Sequence, residues 1–249
     1  MKRPKHNRQT LRKISLLVSF AFFPYTILYL SPGPPLMSLK AGVVNLSVLV
    51  ILGLFLSGFF FRRAFCGWIC PGGGCQVLAG AVNNSRLERK RTNWIRIILI
   101  SVWIMMMLMT ILFKVKDPEL DLGNPGAGKF ATSEIRFYLP YIPTVLFMIL
   151  FVYIFGRRGF CHRACWIYPL LAASTRLGRW LRFPGLFVQV RHAEECNSCN
   201  LCTKHCTMSI DVKSVVQEEK SLPAYCIQCG SCVDQCRNKV LSYSFGRQV

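Results

Sequence analysis

Residues 44–71 read VNLSVLVILGLFLSGFFFRRAFCGWICP, an apolar run that ends in two arginines and a CxxxC pair. The apolar part is about as long as a membrane crossing, which takes roughly 20 residues. Cys66 and Cys70 follow it directly, and residues four apart share one face of a helical turn. The stretch therefore predicts a membrane helix followed by a pair of metal-binding thiols.

Four stretches of the 249-residue chain are comparably apolar: residues 14–30, 43–61, 94–115 and 137–155. The chain is 52% hydrophobic, with a mean hydropathy of +0.35. We therefore predict four transmembrane helices. The first stretch follows a basic segment, as a signal peptide does, but no small-residue cleavage site comes after it. We expect it to be retained as a helix.

The net charge of +20 is distributed unevenly along the chain. Basic residues lie before the first apolar stretch, between the second and third, and after the fourth, whereas the other connections are poor in base. This alternation follows the positive-inside rule. It predicts a multi-pass protein of the cytoplasmic (inner) membrane, in contact with lipid, with both termini in the cytoplasm. It also argues against a nucleic-acid partner.

The segment FFRRAFCGWIC (60–70) returns as FGRRGFCHRAC (155–165). Each copy follows two predicted helices, so the halves would form two parallel two-helix repeats. Both cysteine pairs would then meet in one four-thiolate site made of Cys66, Cys70, Cys161 and Cys165. The site could hold an iron–sulfur centre or a mononuclear metal, and the alternative is that these cysteines only pack helix ends. Cys75 has no counterpart in the second copy and reads as a further ligand or a small buried residue.

The runs CNSCNLCTKHC (196–206) and CIQCGSCVDQC (226–236) both follow C-x2-C-x2-C-x3-C. This is the spacing of a bacterial two-cluster ferredoxin, in which the fourth cysteine of each run binds the other cluster. Zinc is the poorer alternative, because it prefers two separated CxxC pairs for one ion. We predict two [4Fe–4S] clusters with crossed ligation. One is held by Cys196, Cys199, Cys202 and Cys236, and the other by Cys226, Cys229, Cys232 and Cys206. Thr207 and Arg237 stand where such runs usually carry proline.

These patterns predict two domains. Residues 1–190 would form an all-α membrane domain of four helices, with an amphipathic interfacial segment at residues 166–190. Residues 191–249 would form a small α+β ferredoxin domain of the bacterial two-cluster type.

The sequence FCGWICP after a hydrophobic segment, a second CxxxC, and a C-terminal double ferredoxin run together resemble the NapH/MauN type of membrane ferredoxin. The wider group includes the membrane parts of NosR and CcoG. Members carry Cys-Pro in both motifs, whereas here Pro71 follows Cys70 and Trp166 follows Cys165. The resemblance implies electron transfer between the quinone pool and other redox proteins, as a subunit of a larger respiratory-type chain.

Three functions are compatible with these features. The first is an electron-transfer subunit of the quinol dehydrogenase type, with partners that are ferredoxin-like proteins, cytochromes or reductases. The second is an assembly factor that reduces a metal ion for a partner enzyme, and the third is a redox sensor. No catalytic residue is predicted. His162 is a candidate proton acceptor at a quinone site, because the pKa of an unperturbed histidine, about 6.5, suits that role.

Overall fold

The computed structural model describes residues 7–40, 43–87, 98, 101–102, 104–106, 108–109, 119–121 and 141–247. Its first part contains α1 (Asn7–Ala21), α2 (Phe23–Leu30), α3 (Gly33–Lys40), β1 (Val43–Asn45), α4 (Leu46–Phe61), α5 (Ala64–Trp68), α6 (Pro71–Ala79) and β2 (Glu119–Asp121). Then come α7 (Tyr141–Phe155), α8 (Gly159–Arg163) and α9 (Ile167–Trp180). The last part holds β3 (Gly185–Val190), a 3-10 turn (Ala193–Glu195), α10 (Leu201–Lys204), α11 (Val212–Gln217), α12 (Ser231–Gln235) and β4 (Leu241–Gly246).

The prediction of four transmembrane helices was wrong. None of the helices in the described residues combines the length and the apolar character that a membrane crossing requires. The stretch 14–30 is divided between α1 and α2, where Pro24 lies in the first turn of α2 and lacks the N–H that a continuous helix would use. The stretch 43–61 starts as β1, which pairs in parallel with β2, and its helix begins only after Asn45.

The two remaining predicted crossings have different outcomes. The stretch 137–155 contributes α7, which has 15 residues in the described part of the chain. The stretch 94–115 lies almost entirely outside the described residues. The two parallel two-helix membrane repeats are therefore not formed as predicted, and the cytoplasmic placement of the termini stays a prediction.

The repeat is present at the level of the cysteine turns. In both copies a long helix, α4 or α7, is followed by a turn with two arginines and a five-residue helix that carries the first cysteine. The backbone N–H groups of Ile69 and Cys70 both donate to the carbonyl of Phe65, at 3.0 and 2.9 Å. Those of Ala164 and Cys165 donate to Phe160 in the same way, at 2.9 and 3.0 Å. The sequence repeat therefore encodes one local turn, built twice.

The C-terminal part is folded around an antiparallel pair, β3 and β4, in register from Gly185 opposite Gly246 to Val190 opposite Leu241. The two cysteine runs and the short helices α10, α11 and α12 lie between these strands in sequence. β3 precedes residue 191, where we placed the domain boundary, although it pairs with the ferredoxin strand β4. The division into residues 1–190 and 191–249 stays a prediction.

One buried core joins the two parts. It contains Ile167 and Leu171 of α9 together with apolar residues of the C-terminal part, among them Val188, Val212 and Leu241. Thiols of both parts belong to the same core: Cys66, Cys206, Cys226, Cys229 and Cys232. The packing that stabilises the fold therefore also surrounds cysteines of both motif types.

Candidate iron–sulfur sites

Four cysteines line a cavity of about 240 Å³ at the surface, which we call the outer site: Cys196, Cys199, Cys202 and Cys236. Cys199 is exposed and the other three are partly buried. Burial raises the pKa of Cys202, and the neighbouring thiols of Cys199 and Cys236 raise it further. Four cysteine thiols around one cavity are the donor set that a [4Fe–4S] cluster uses.

The other four ferredoxin cysteines surround a much smaller cleft of about 10 Å³, which we call the inner site: Cys206, Cys226, Cys229 and Cys232. All four are buried, and Val188, Ile210 and Leu222 are among the apolar residues that line the cleft. Burial raises the pKa of Cys206 to about 11 and that of Cys226 to about 12, and neighbouring thiols contribute to both shifts. The N–H of Ile210 donates to Cys206 Sγ at 3.4 Å, so the site already offers a hydrogen bond to sulfur.

The short helices explain why the fourth cysteine of each run belongs to the other set. Cys202 lies on α10 and Cys206 two residues after its end, while Cys232 lies on α12 and Cys236 directly follows it. Each helix thus carries the chain from one site to the next. The two sites are neighbours, because the thiol of Cys202 is among those that raise the pKa of Cys232, after burial and the other inner thiols.

The two membrane-type motifs also meet, at what we call the CxxxC site: Cys66, Cys70, Cys161 and Cys165. Burial raises the pKa of Cys165, and the thiols of Cys161, Cys70 and Cys66 raise it further. Burial likewise raises the pKa of Cys70 to about 12, with contributions from Cys66 and Cys161. The structure therefore brings these four thiols within electrostatic reach of one another.

All twelve predicted cysteines are thus grouped in the predicted sets of four. Within the described part of the chain, no group of three or more His, Cys, Asp or Glu side chains is arranged to hold a single metal ion. The donor chemistry fits clusters, since thiolates in sets of four are what [4Fe–4S] centres use. Each individual ligand assignment stays a prediction.

Two side chains that the sequence analysis did not assign to the CxxxC site hydrogen-bond its thiols. Gln76 Nε2 donates to Cys161 Sγ at 3.1 Å and to the carbonyl of Gly72 at 2.9 Å. Arg63 Nη2 lies 3.8 Å from Cys66 Sγ in a buried contact. Burial is the largest influence and opposes the charge of Arg63, but Cys66 together with neighbouring tyrosine and cysteine groups outweighs burial, so the pKa of Arg63 is raised. No motif points to Gln76, whereas Arg63 stands out in the repeat.

The glycines after Pro71 serve helix packing. A Cβ on Gly74 would lie 2.2 Å from the carbonyl oxygen of Leu16 in α1, and one on Gly73 would lie 2.6 Å from Arg158 Nη1. Only Gly72 faces a site thiol, with Cys70 Sγ 3.9 Å from its Cβ position. The glycines therefore let α6 approach α1 closely.

Cys75 lies in a separate small core with Phe23, Ile27 and Met148. Burial raises the pKa of its thiol to about 11. Its surroundings agree with the reading of Cys75 as a small buried residue.

A larger apolar cavity of about 510 Å³ adjoins the CxxxC site. Cys70 and Cys165 form part of its wall, and the rest is mostly apolar and aromatic, including Phe147, Met148 and Trp166. The indole N–H of Trp166 donates to the carbonyl of Leu30 at 2.9 Å, which holds that wall in place. His162 is not among the lining residues, and its role at a quinone site stays a prediction.

The CxxxC site is docked directly on the inner site. Trp68 Nε1 donates to the carbonyl of Gln228 at 3.1 Å, and Arg63 Nη1 donates to that of Tyr225 at 2.9 Å. A Cβ on Gly67 would lie 2.3 Å from the carbonyl oxygen of Ile227. The turn that carries Cys66 therefore packs against the loop that carries Cys226 and Cys229.

The basic start of α1 contacts both sites. Gln9 Nε2 donates to the carbonyl of Cys229 at 3.0 Å, and Arg8 forms an ion pair with Asp234 on α12. Arg12 Nη1 donates to the carbonyl of Gly67 at 3.4 Å. Arg8 and Arg12 are among the basic residues before the first apolar stretch, and in the structure they bind α1 to the parts of the chain that carry the cysteines.

Comparison with known proteins agrees with this geometry. A 4Fe-4S binding domain model matches residues 44–91 and 138–184, one copy for each CxxxC motif. A 4Fe-4S dicluster domain model matches residues 195–241. The ferredoxin-type protein NapH of Haemophilus influenzae is 22% identical over 264 residues, covering 94% of this chain and 87% of NapH. The chain is similar to the ferredoxin-type protein NapH, and it carries matches to both 4Fe-4S domain models.

Two further proteins extend the similarity. YccM of Escherichia coli, a candidate electron transport protein, is 23% identical over 222 residues, which cover 82% of this chain and 59% of YccM. NirI of Paracoccus denitrificans is 27% identical over 191 residues, 74% of this chain and 26% of NirI. The chain thus spans less than two thirds of both relatives. No solved structure matches it. The matches show an iron–sulfur electron-transfer protein.

Proposed function

We propose that this protein passes electrons between a quinol and a partner redox protein, as a subunit of a respiratory-type chain. The order of sites would be the apolar cavity, the CxxxC site, the inner site and the outer site. The observation that carries the proposal is the single buried core in which Cys66 lies together with the four thiols of the inner site. A relay needs neighbouring redox sites, and this core makes them neighbours.

The residues of the chain perform three tasks in this scheme. When bound, iron–sulfur clusters supply one-electron donors and acceptors. The thiols attach them, and the hydrogen bonds from Gln76, Arg63 and the Ile210 N–H to sulfur influence their potentials. The walls of the inner site are apolar and its thiols are buried, which would limit the access of water to a cluster there.

The cavity beside Cys70 and Cys165 supports a quinol as the small-molecule partner. Its volume of about 510 Å³ lies within the range of roughly 300–1,000 Å³ that is usual for ligand pockets. An apolar wall with few polar groups, here Ser31 and Thr144, suits a largely apolar ring compound. A quinol bound there would lie against two thiols of the CxxxC site.

The outer site supports a protein as the other partner. Cys199 is exposed, so a cluster at this site would be accessible to a docking protein. The relatives include the ferredoxin-type protein NapH, which points to transfer within a set of redox proteins. We propose ferredoxin-like proteins, cytochromes or reductases as that partner.

The test is rapid anaerobic mixing of the cluster-loaded protein with menadiol, a short quinol, followed by absorbance of the clusters. We expect reduction in the wild type. Ala164→Trp, which places an indole in the cavity, should slow the rate at least about tenfold, which corresponds to roughly 1.4 kcal/mol. Val82→Trp, at a 75% exposed position away from the cavity, is the matched control. Equal rates in all three proteins would refute the cavity as the quinol site.

A further inference from the structure

Arg63 is a buried cation that contacts two of the three cysteine sites. Arg63 is only 1% exposed. Nη2 lies 3.8 Å from Cys66 Sγ in the CxxxC site. Nη1 donates at 2.9 Å to the carbonyl of Tyr225, the residue before Cys226 of the inner site. One guanidinium therefore joins the two sites.

No carboxylate of the described residues balances the charge of Arg63. Among the described residues it forms no ion pair with Asp or Glu, and its Nε is buried without a hydrogen-bond partner. The guanidinium carbon lies 4.1 Å from the centre of the Tyr168 ring, which supplies a weak attraction to the cation. A buried unpaired charge is costly, and a cluster bound through the Cys66 thiolate would supply the negative charge that offsets this cost.

We infer that Arg63 is a positioning residue that sets the reduction potentials of the CxxxC and inner sites together. When one site reduces the other, the electron lost by the first is the electron gained by the second, and each cluster gains one negative charge when reduced. A fixed cation between them stabilises the reduced state of both, because opposite charges attract strongly where water is excluded. Arg63 thereby raises both potentials in the same direction. This inference deepens the proposed function, since it concerns the same relay.

Arg62 provides a matched control at the adjacent position. It is also 1% exposed, and it also has a buried Nε without a partner. Its hydrogen bonds go to the carbonyls of Thr175 at 3.1 Å and Phe183 at 3.5 Å, away from the cysteines. Comparison of an Arg62 variant with an Arg63 variant therefore separates the effect of losing any buried arginine from the effect of losing a cation beside the cysteine sites.

The experiment is a redox titration of the cluster-loaded full chain, followed by electron paramagnetic resonance, with no quinol present. The proteins are the wild type, Arg63→Gln, Arg63→Lys and Arg62→Gln, each with its iron and sulfide content. In Arg63→Gln we expect the CxxxC and inner signals to move to lower potential and the outer signal to stay in place. In Arg63→Lys the potentials should lie close to those of the wild type, because the charge is kept. Arg62→Gln should leave all potentials unchanged.

Two results would overturn the inference. One is a set of unchanged potentials in Arg63→Gln at full iron content. The other is an equal change or an equal loss of clusters in Arg62→Gln and Arg63→Gln. Loss of clusters in Arg63→Gln alone, with retention in Arg63→Lys, would support it. Because the titration uses no quinol, failure of the proposed quinol reaction leaves this test intact.

Discussion

The inner and outer sites are built from the same cysteine spacing, yet they differ in their surroundings. The inner thiols are all buried in the shared core, whereas Cys199 of the outer site is exposed. The inner loop is held by Gln9, Trp68 and Arg63, and the outer site receives none of these contacts. The same cysteine spacing can therefore form one buried site and one exposed site. In the proposed relay, the buried site would lie in the middle and the exposed site at the end.

The largest expected contrast is between cysteine substitutions at the two sites. Cys226→Ser removes a thiol from the shared core, so we expect poor folding and loss of iron from all sites. Cys199→Ser changes only the exposed rim, so about four iron and four sulfide should be lost while the rest of the inventory remains. Iron and sulfide analysis with thermal unfolding is the measurement. Equal losses in both variants would remove the distinction between the sites.

The thiols of the cluster-free protein should also react at different rates. The pKa of Cys226 is raised to about 12, mainly by burial, and only the thiolate is nucleophilic. At pH 9 about one Cys226 thiol in a thousand is ionised, and this fraction rises tenfold for each pH unit toward the pKa. We expect iodoacetamide to modify the exposed Cys199 first and Cys226 last, with the rate at Cys226 increasing up to about pH 12. Mass spectrometry of peptides gives the order, and modification of Cys226 before Cys199 would contradict it.

Gly67→Ala tests the contact between the CxxxC turn and the inner loop. The new Cβ would lie 2.3 Å from the backbone oxygen of Ile227, so something in the interface must shift. We expect a loss of about 1–3 kcal/mol in the free energy of unfolding, as for other overpacked sites. Gly53→Ala is the control, because nothing lies within 4 Å of its Cβ position.

Gly53→Ala should be neutral or should stabilise by up to about 1 kcal/mol, since alanine is the better helix former. Chemical denaturation of both variants gives the two values. A Gly67→Ala protein as stable as the wild type would show that the inner site does not depend on this contact.

The smallest expected effect concerns Thr207, which stands at a proline position of the ferredoxin pattern. Thr207 Oγ1 lies 3.2 Å from Cys229 Sγ, a contact that a proline could not make. Thr207→Val keeps the shape and removes the hydroxyl, so we expect a loss of about 0.5–1.5 kcal/mol and a lower potential of the inner cluster. Arg237→Ala, at the equivalent exposed position after the second cysteine run, should leave the inner potential unchanged.

The cysteine sets could be read from the sequence because their spacing is a local property. Three cysteines within seven residues can only wrap one site, and the short helix after them carries the fourth to the neighbouring one. The repeated turn around Cys66 and Cys161 was visible for the same reason. Burial of Cys75 also agreed with one of the two readings that its sequence position allowed.

Only the tertiary structure decided the rest. Hydropathy alone predicted four membrane crossings, but Pro24 and the pairing of β1 with β2 divide two of those stretches into shorter elements. Arg63 lies between two cysteine sites, and Gln76 donates a hydrogen bond to Cys161. Both placements depend on contacts between residues far apart in sequence. Spacing determines which cysteines can share a site, whereas long-range packing determines how deeply each site is buried and which charges lie beside it.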